Sequence, residues 1–190
     1  MEGESGILAA VTSTPSAGSA AFSTIRIRTS AVVFCGSEVA LIRRDREGST
    51  LYTTIGGNVE GAEPLPEALR RELAEELNLD LDQADGGELL WVLDQRVSRP
   101  GPTPPPRKLH LIYRFHVSPA VRETLAAEEF DAQADGSYEL GTIEWIDYRE
   151  TAALPLFPPI GPALAALDSP HAQVLDAALA AVTDENYSWI

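Results

Sequence analysis

The amino-acid sequence predicts a domain of the α+β class, and three observations carry the prediction. Strand-like runs precede and follow one long stretch of helical periodicity. Near the start, two such runs are separated only by Gly36-Ser37, a hairpin signal, not the regular strand–helix alternation of a parallel sheet. The 190 residues suffice for one domain with a core, and 44% of them are hydrophobic, an ordinary share for a globular protein.

Residues 1–22 are rich in Ala, Ser, Thr and Gly without a sustained period and are expected to form a mobile tail, leaving 23–190 as a single domain. Ile25 and Ile27 alternate with Arg26 and Arg28 before the apolar run Ala31–Phe34, so Ile25–Cys35 reads as a strand that starts half exposed and becomes buried. Glu38–Arg43 is the second strand of the hairpin, Asp45–Ser49 a polar loop, and Leu51–Ile55 a short strand running into Gly56-Gly57. Glycine lets backbone approach a ligand closely. Arg43, Arg44 and Arg46 end the hairpin, either as a solubilising loop or as phosphate contacts through arginine's planar fork of donors.

The helical stretch lies within Gly57–Leu79, GNVEGAEPLPEALRRELAEELNL. Pro66 falls where a first turn tolerates proline, because its missing N–H would be unpaired there anyway. Leu65, Leu69, Leu73 and Leu77 recur every fourth residue, the spacing of a buried stripe. Glu72, Glu75 and Glu76 share one arc at the edge of that stripe. Like charges at this spacing destabilise a helix by about 0.2–0.5 kcal/mol per pair. Two readings are open: a solvated acidic face in which Arg71 pairs with Glu75, or a site whose hard oxygen donors hold Mg²⁺.

Beyond the helix, Asp80–Gly87 reads as loop and Glu88–Val97 as a strand with Trp91 in the core. Arg99–Arg107 is a stiff proline-rich loop, a pocket rim or a polyproline segment for another protein. Lys108–Val117 alternates, with Leu109, Leu111, Tyr113 and Phe115 on one face. Lys108, His110, Ile112, Arg114 and His116 lie on the other, which lines a pocket or touches solvent. The two histidines lack the further ligands of a zinc site. Glu128–Gly136 is acidic and polar and reads as a loop, and Tyr138–Ile146 leads into a last strand. Residues 161–182 look helical, broken at Asp168-Ser169-Pro170; the second piece, Ala172–Val182, packs on the domain or supports a homodimer.

The formal net charge of −15 argues against long DNA or RNA as a partner, since binders of bare nucleic acid carry a basic patch. The single Cys35 excludes an intrachain disulfide and suits core packing in a reducing compartment. No apolar run approaches the roughly 20 residues of a membrane span. The acidic start Met1-Glu2-Gly3-Glu4 is unlike a secretory signal, so a cytoplasmic protein is expected.

Gly57, then Glu63 after five residues, Arg71-Glu72-Leu73 after seven more, Glu75-Glu76 and Leu79 resemble, in order and spacing, the signature of the Nudix (MutT-like) hydrolase family. Asn78 departs from it, because the family usually has glycine there; Asn is the next best residue for a left-handed helix exit. The resemblance covers residues 24–160 in outline, and only Gly57–Leu79 carries the specific motif. It implies an α/β/α sandwich with a mixed sheet and a catalytic loop–helix–loop. It implies hydrolysis of a pyrophosphate bond in a nucleoside diphosphate derivative: a nucleoside triphosphate, a nucleotide sugar such as ADP-ribose, or a dinucleoside polyphosphate. Mg²⁺, or Mn²⁺ in its place, would be held by Glu72, Glu75, Glu76 and the carbonyl of Gly57. Arg71 would steer a glutamate and Glu63 support the loop. A further glutamate, Glu139 with Glu144 behind it, would act as ligand or base. Arg43, Arg44, Gly56 and Gly57 are the expected substrate contacts. The alternative is a Nudix-like domain that binds a nucleotide as a regulator without cleaving it.

Overall fold

In the computed structural model, which describes residues 24–98, 105–132 and 136–187, the predicted hairpin opens the chain: β1 (Ile25–Cys35) returns as β2 (Glu38–Arg46). The tail 1–22 and residues 99–104 of the proline-rich loop lie outside the described residues. β3 (Ser49–Thr53) pairs with β2, and β4 (Ile55–Asn58) folds back antiparallel on β1. Helix α1 (Leu65–Leu77) follows. β5 (Asp85–Arg96) and β6 (Arg107–His116) form a second antiparallel pair, and β6 runs parallel to β1 along its length. A short α2 (Pro119–Arg122) leads to β7 (Glu128–Ala132) and β8 (Tyr138–Asp147), and β8 pairs with β2. β9 (Leu156–Phe157) joins β3 in parallel, α3 (Gly161–Ala165) comes next, and β10 (Val182–Thr183) joins β5 in parallel.

The sheet is therefore mixed, and it forks at β1. β4 takes the edge of β1 over Arg28–Ala31, and β2 takes it only at Phe34–Cys35. A cleft opens between the two branches, beside Gly56-Gly57.

Ala31–Phe34 is buried at every position, because alternate side chains of a strand enter opposite layers. Val32 and Phe34 join Leu41, Leu93 and Ile112 under α3, with Ile160 and Leu164. Ala31 and Val33 join Ile42 and Ile55 under α1, with Leu69, Leu73 and Leu77. Each of those leucines, fully or almost fully buried, contributes on the order of 2 kcal/mol. The expected layered sandwich is what forms; Trp91 is in the core, and Cys35 is a buried free thiol.

Asn78 closes α1 in the left-handed conformation, φ 55° and ψ 32°, with its N–H bonded to Ala74 O and that of Leu79 to Leu73 O. Glycine adopts this conformation without a Cβ penalty but loses the 3.4 Å bond from Asn78 Nδ2 to Thr124 O. Asn78→Gly is therefore expected to change stability by less than about 0.5 kcal/mol, checked by urea denaturation.

Three expectations are corrected. Ala172–Val182 is not a helix. Its first half is irregular, and from Ala177 it lies along β5: Val92 N–H bonds Ala177 O (2.7 Å), Leu179 N–H bonds Val92 O (3.0 Å), and Val182–Thr183 pairs with Gln95–Arg96. The unpaired edge of β5 offers this backbone partners that outweigh the helix preference of its alanines. Glu128–Ala132 is a strand, not a loop, because β8 supplies its pairing. On β6 the face His110, Ile112 and Arg114 is buried, not solvent-facing, since the C-terminal segment lies over it; Arg114 Nη1 donates to Pro170 O (3.1 Å) and Ala172 O (2.7 Å). Among the described residues no helix is long and apolar enough to cross a membrane.

Candidate active site

The site starts from strand register. Val59 N–H bonds the Ile27 carbonyl across β1–β4, and in an antiparallel ladder bonded pairs alternate with unbonded ones. Gly56, opposite Ser30, falls in an unbonded pair. Its N–H is free to donate to Glu76 Oε2 (2.6 Å), and its carbonyl accepts from Arg28. Gly56 has φ 138°, and a Cβ there would lie 2.3 Å from the Thr29 carbonyl oxygen. At Gly57 a Cβ would lie 2.0 Å from Glu72 Oε1. Gly57 therefore leaves room for the Glu72 carboxylate against the backbone of β4, while Gly56 lets β1 approach closely and offers its N–H to Glu76.

Glu72 is buried at the edge of the leucine stripe, and burial pushes its carboxyl up against the opposing pull of Arg71. Burial pushes Glu76 further, to about 8, opposed by the Gly56 N–H and Arg28 and reinforced by Glu72 and Glu129. Desolvation pulls the Arg28 guanidinium down while Glu76 and Glu72 hold it charged. Glu75 does not join this pair. Its side chain is 60% exposed and accepts from Arg71 Nη1 at 3.2 Å. Glu75 thus lies on a solvated face and pairs with Arg71, while Glu72 and Glu76 are withdrawn from solvent beside Gly56-Gly57.

Arg71 is the hub of the loop–helix–loop. It donates to both oxygens of Glu63 (3.0 and 3.1 Å), to Asn58 O (3.2 Å) and to Glu72 Oε1 (2.8 Å). Glu63 also accepts from the Glu60 N–H at 3.2 Å, so its observed work is to brace the loop.

The cleft, about 400 Å³, faces this pair. Arg44 and Arg46 stand on one wall, Arg28 and Lys108 on another, and Leu51, Phe157 and Pro158 form an apolar patch. Arg44 is buried and donates to Glu129 Oε2 (2.6 Å) and Thr53 Oγ1 (2.8 Å). Arg43, one residue earlier on β2, points to the other face, where it binds Asp45 (3.0 Å) and Glu144 (2.9 Å). The expectation of substrate contact at Arg43 is corrected by this alternation; Arg44 and Arg46 carry the cleft side. Glu139 lines the cleft but is bound by Arg46 at 2.6 and 3.0 Å, which lowers its carboxyl pKa and suits it poorly as a base. Glu144 accepts from Arg43 and from Tyr52 Oη (3.0 Å), away from the cleft.

Arg28, Glu129 and Asp131 belong to the site although sequence reasoning passed over them. Arg28 sits in an ordinary alternating strand, and its position at the cleft comes from β4 pairing beside it. Glu129 and Asp131 share one face of β7, and the opposite face carries Phe130, which is 63% exposed. The polar side faces inward, the reverse of the usual pattern, so hydrophobicity gives no signal for the strand.

Among the described residues no three His, Cys, Asp or Glu side chains are arranged to hold a metal ion. Two carboxylates are enough for Mg²⁺, which keeps waters and takes substrate phosphate as further ligands. The desolvated, mutually repelling Glu72 and Glu76 fit such a cation, because it relieves the charge that burial disfavours.

The family model described as NUDIX domain matches residues 24–167. No curated protein matches the chain. Among solved structures, the MutT protein of Methanosarcina mazei Go1 is 18% identical at TM-score 0.51, over 74% of this chain and 91% of that one. The NUDIX domain of Shewanella oneidensis NrtR, in complex with ADP ribose, is 17% identical at TM-score 0.51, over 76% and 86%. An Ap4A hydrolase from C. elegans is 16% identical at TM-score 0.50, over 73% and 92%. At these identities the three share the fold.

Proposed function

The chain belongs to the Nudix family of pyrophosphohydrolases, whose members generally use divalent metal ions, and from that premise we propose that it is a Mg²⁺-dependent hydrolase of a nucleoside diphosphate derivative. The observation that carries the reading is the pair Glu72 and Glu76, buried against Gly56-Gly57 at a cleft walled by Arg28, Arg44 and Arg46. Glu72 and Glu76 would hold the ion, with the Gly57 carbonyl as a further donor of the motif; Glu75 would join them only by leaving Arg71 Nη1 and turning in from solvent. Bound there, Mg²⁺ supplies charge neutralisation on phosphate oxygens and a water of lowered pKa.

The chain's own residues do the rest. Arg44 and Arg46 present guanidinium donors to the phosphate chain, and Arg44 is pre-oriented by Glu129 and Thr53. Leu51, Phe157 and Pro158 exclude water beside the non-phosphate part of the substrate. Arg71 holds Glu72 in register with the loop. Nucleoside triphosphates, nucleotide sugars such as ADP-ribose and dinucleoside polyphosphates all present the bond this site would cleave.

The two arginines of β2 separate by test. Arg44→Ala is expected to raise KM about tenfold and to cost about 2–4 kcal/mol of stability, because Glu129 is left buried and unpaired. Arg43→Ala, breaking solvent-screened pairs, should leave both stability and KM close to the parent values. Equal effects on KM would remove Arg44 from the substrate site.

The deciding experiment is a phosphate-release screen of the purified protein against those three substrate classes, with Mg²⁺ and with EDTA. Metal-dependent cleavage of one class is expected. No cleavage, with a nucleotide still raising the melting temperature, would instead make the protein a nucleotide-binding regulator.

A further inference from the structure

The family match ends at residue 167, yet the chain continues as an ordered strap to Tyr187. This strap is fastened to β5 by the Val92–Ala177, Val92–Leu179 and β10 pairings, and the Ser98 N–H donates to Asp184 Oδ1 (2.7 Å). Its last turn is locked locally. Thr183 N–H donates to Asn186 Oδ1 (2.8 Å), Asn186 Nδ2 to Ala181 O (2.9 Å), and Tyr187 N–H to Thr183 O (3.0 Å). The turn sets the Tyr187 ring on Phe157, with centroids 5.4 Å apart and a tilt of 53°.

Phe157 is the aromatic side chain of the cleft wall. It also meets His110 edge-on, with centroids 5.9 Å apart. His110 is wholly buried and donates from Nε2 to Gln95 Oε1 (2.8 Å), and Gln95 is the β5 residue paired with Val182 of the strap. The strap thus reaches the same ring by two routes, directly through Tyr187 and indirectly through Gln95 and His110. β9, which carries Phe157, is only two residues long and pairs with β3 at the end of the sheet, so side-chain contacts such as these help to set the position of its ring.

We infer that the C-terminal strap is part of the substrate site, with Tyr187 a positioning residue that holds Phe157 as the cleft's apolar wall. The inference rests on the hydrolase reading for its consequence in catalysis, but not for the placement of Phe157. Loss of the ring contact weakens binding of the non-phosphate part of the substrate and leaves the phosphate chemistry at Glu72 and Glu76 untouched.

The test uses the full chain with Tyr187→Ala and Tyr187→Phe, assayed on the substrate class found in the screen, at a temperature where each variant is folded by circular dichroism. Tyr187→Ala should raise KM about fivefold with kcat within about twofold, the loss expected for one aromatic pair, and Tyr187→Phe should restore the parent value. A parent KM in Tyr187→Ala would overturn the inference. A second measurement does not depend on turnover: Phe157→Cys is labelled with an aromatic disulfide reagent, alone and combined with Tyr187→Ala, against the buried Cys35 as background. Faster labelling in the double variant supports the strap's hold on this wall, and equal rates refute it. If the parent protein neither cleaves nor binds any nucleotide, the hydrolase reading fails while the labelling still decides the role of the strap.

Discussion

Glu76→Gln is expected to lower turnover by about a hundredfold or more while leaving the fold intact, since the carboxylate is asked for charge as well as shape. Glutamine keeps the carbonyl that accepts from the Gly56 N–H but cannot supply an anionic donor to a cation. The same substitution has a signature in pH. The Glu76 carboxyl is raised by burial from 4.5 to about 8. Between those values the folded protein holds a proton that the unfolded chain has lost, so the stability this group contributes is full below pH 4.5 and is lost as pH rises towards 8. The groups facing it are the Gly56 N–H and Arg28, which favour the anion, and Glu72 and Glu129, which oppose it. Glu72 and Glu129 are also raised by burial, so the cluster titrates as a unit and glutamine at position 76 flattens the slope without abolishing it.

Thermal melts in EDTA across this range should therefore show the parent losing ground to Glu76→Gln as pH rises. Millimolar Mg²⁺ at pH 8 should restore the parent more than the variant, because an ion that binds only the folded state stabilises it by mass action. Parent-like turnover in Glu76→Gln would sink the assignment of this carboxylate. Parallel melting curves would show that the carboxyl is not desolvated.

Arg71→Ala is expected to have the largest effect on stability among the charged residues of the motif. The guanidinium bridges Glu63, Glu72, Glu75 and the Asn58 carbonyl, and its removal leaves three carboxylates facing one another without a cation. Its partial exposure limits the loss to about 2–3 kcal/mol, less than for a fully buried pair. For a chain of this size that is a fall in Tm of about 5–10 °C. Turnover should drop about tenfold as well, because Glu72 loses the donor that holds it against Gly57. Arg71→Lys should recover little of either, since an ammonium cannot make the two-pronged bond to Glu63. Calorimetry and steady-state kinetics on the two variants check this; an unshifted Tm in Arg71→Ala would show that the loop is held by its backbone alone.

Much of this molecule was legible before any coordinates. The stripe of Leu69, Leu73 and Leu77 with Pro66 at its start placed α1, and Asn78 marked its left-handed exit, because helix periodicity and capping are local properties. The hairpin of β1 and β2 was equally plain from Gly36-Ser37. The glycine and glutamate spacing identified the loop–helix–loop, and the family match over residues 24–167 agrees. Local pattern failed where long-range pairing overrode it. The alanines of 172–182 favour a helix, yet the open edge of β5 draws that backbone into pairing. β7 hid because its polar face, Glu129 and Asp131, turns inward to the cleft and its Phe130 turns out.

The sequence by itself thus determined the class of fold, the catalytic-type helix and the set of acidic and basic side chains from which a site could be built, because periodicity, caps and motif spacing are written within a few turns of chain. Only the tertiary structure decided which members of that set meet. It buried Glu72 and Glu76 on Gly56-Gly57, turned Glu75 and Arg43 away, locked Glu139 onto Arg46, and brought Arg28 to the cleft, Glu129 to Arg44 and Tyr187 to Phe157 from distant segments. Burial and strand register depend on partners far apart in the chain, and it is burial that sets the charge and register that sets the aim of each group.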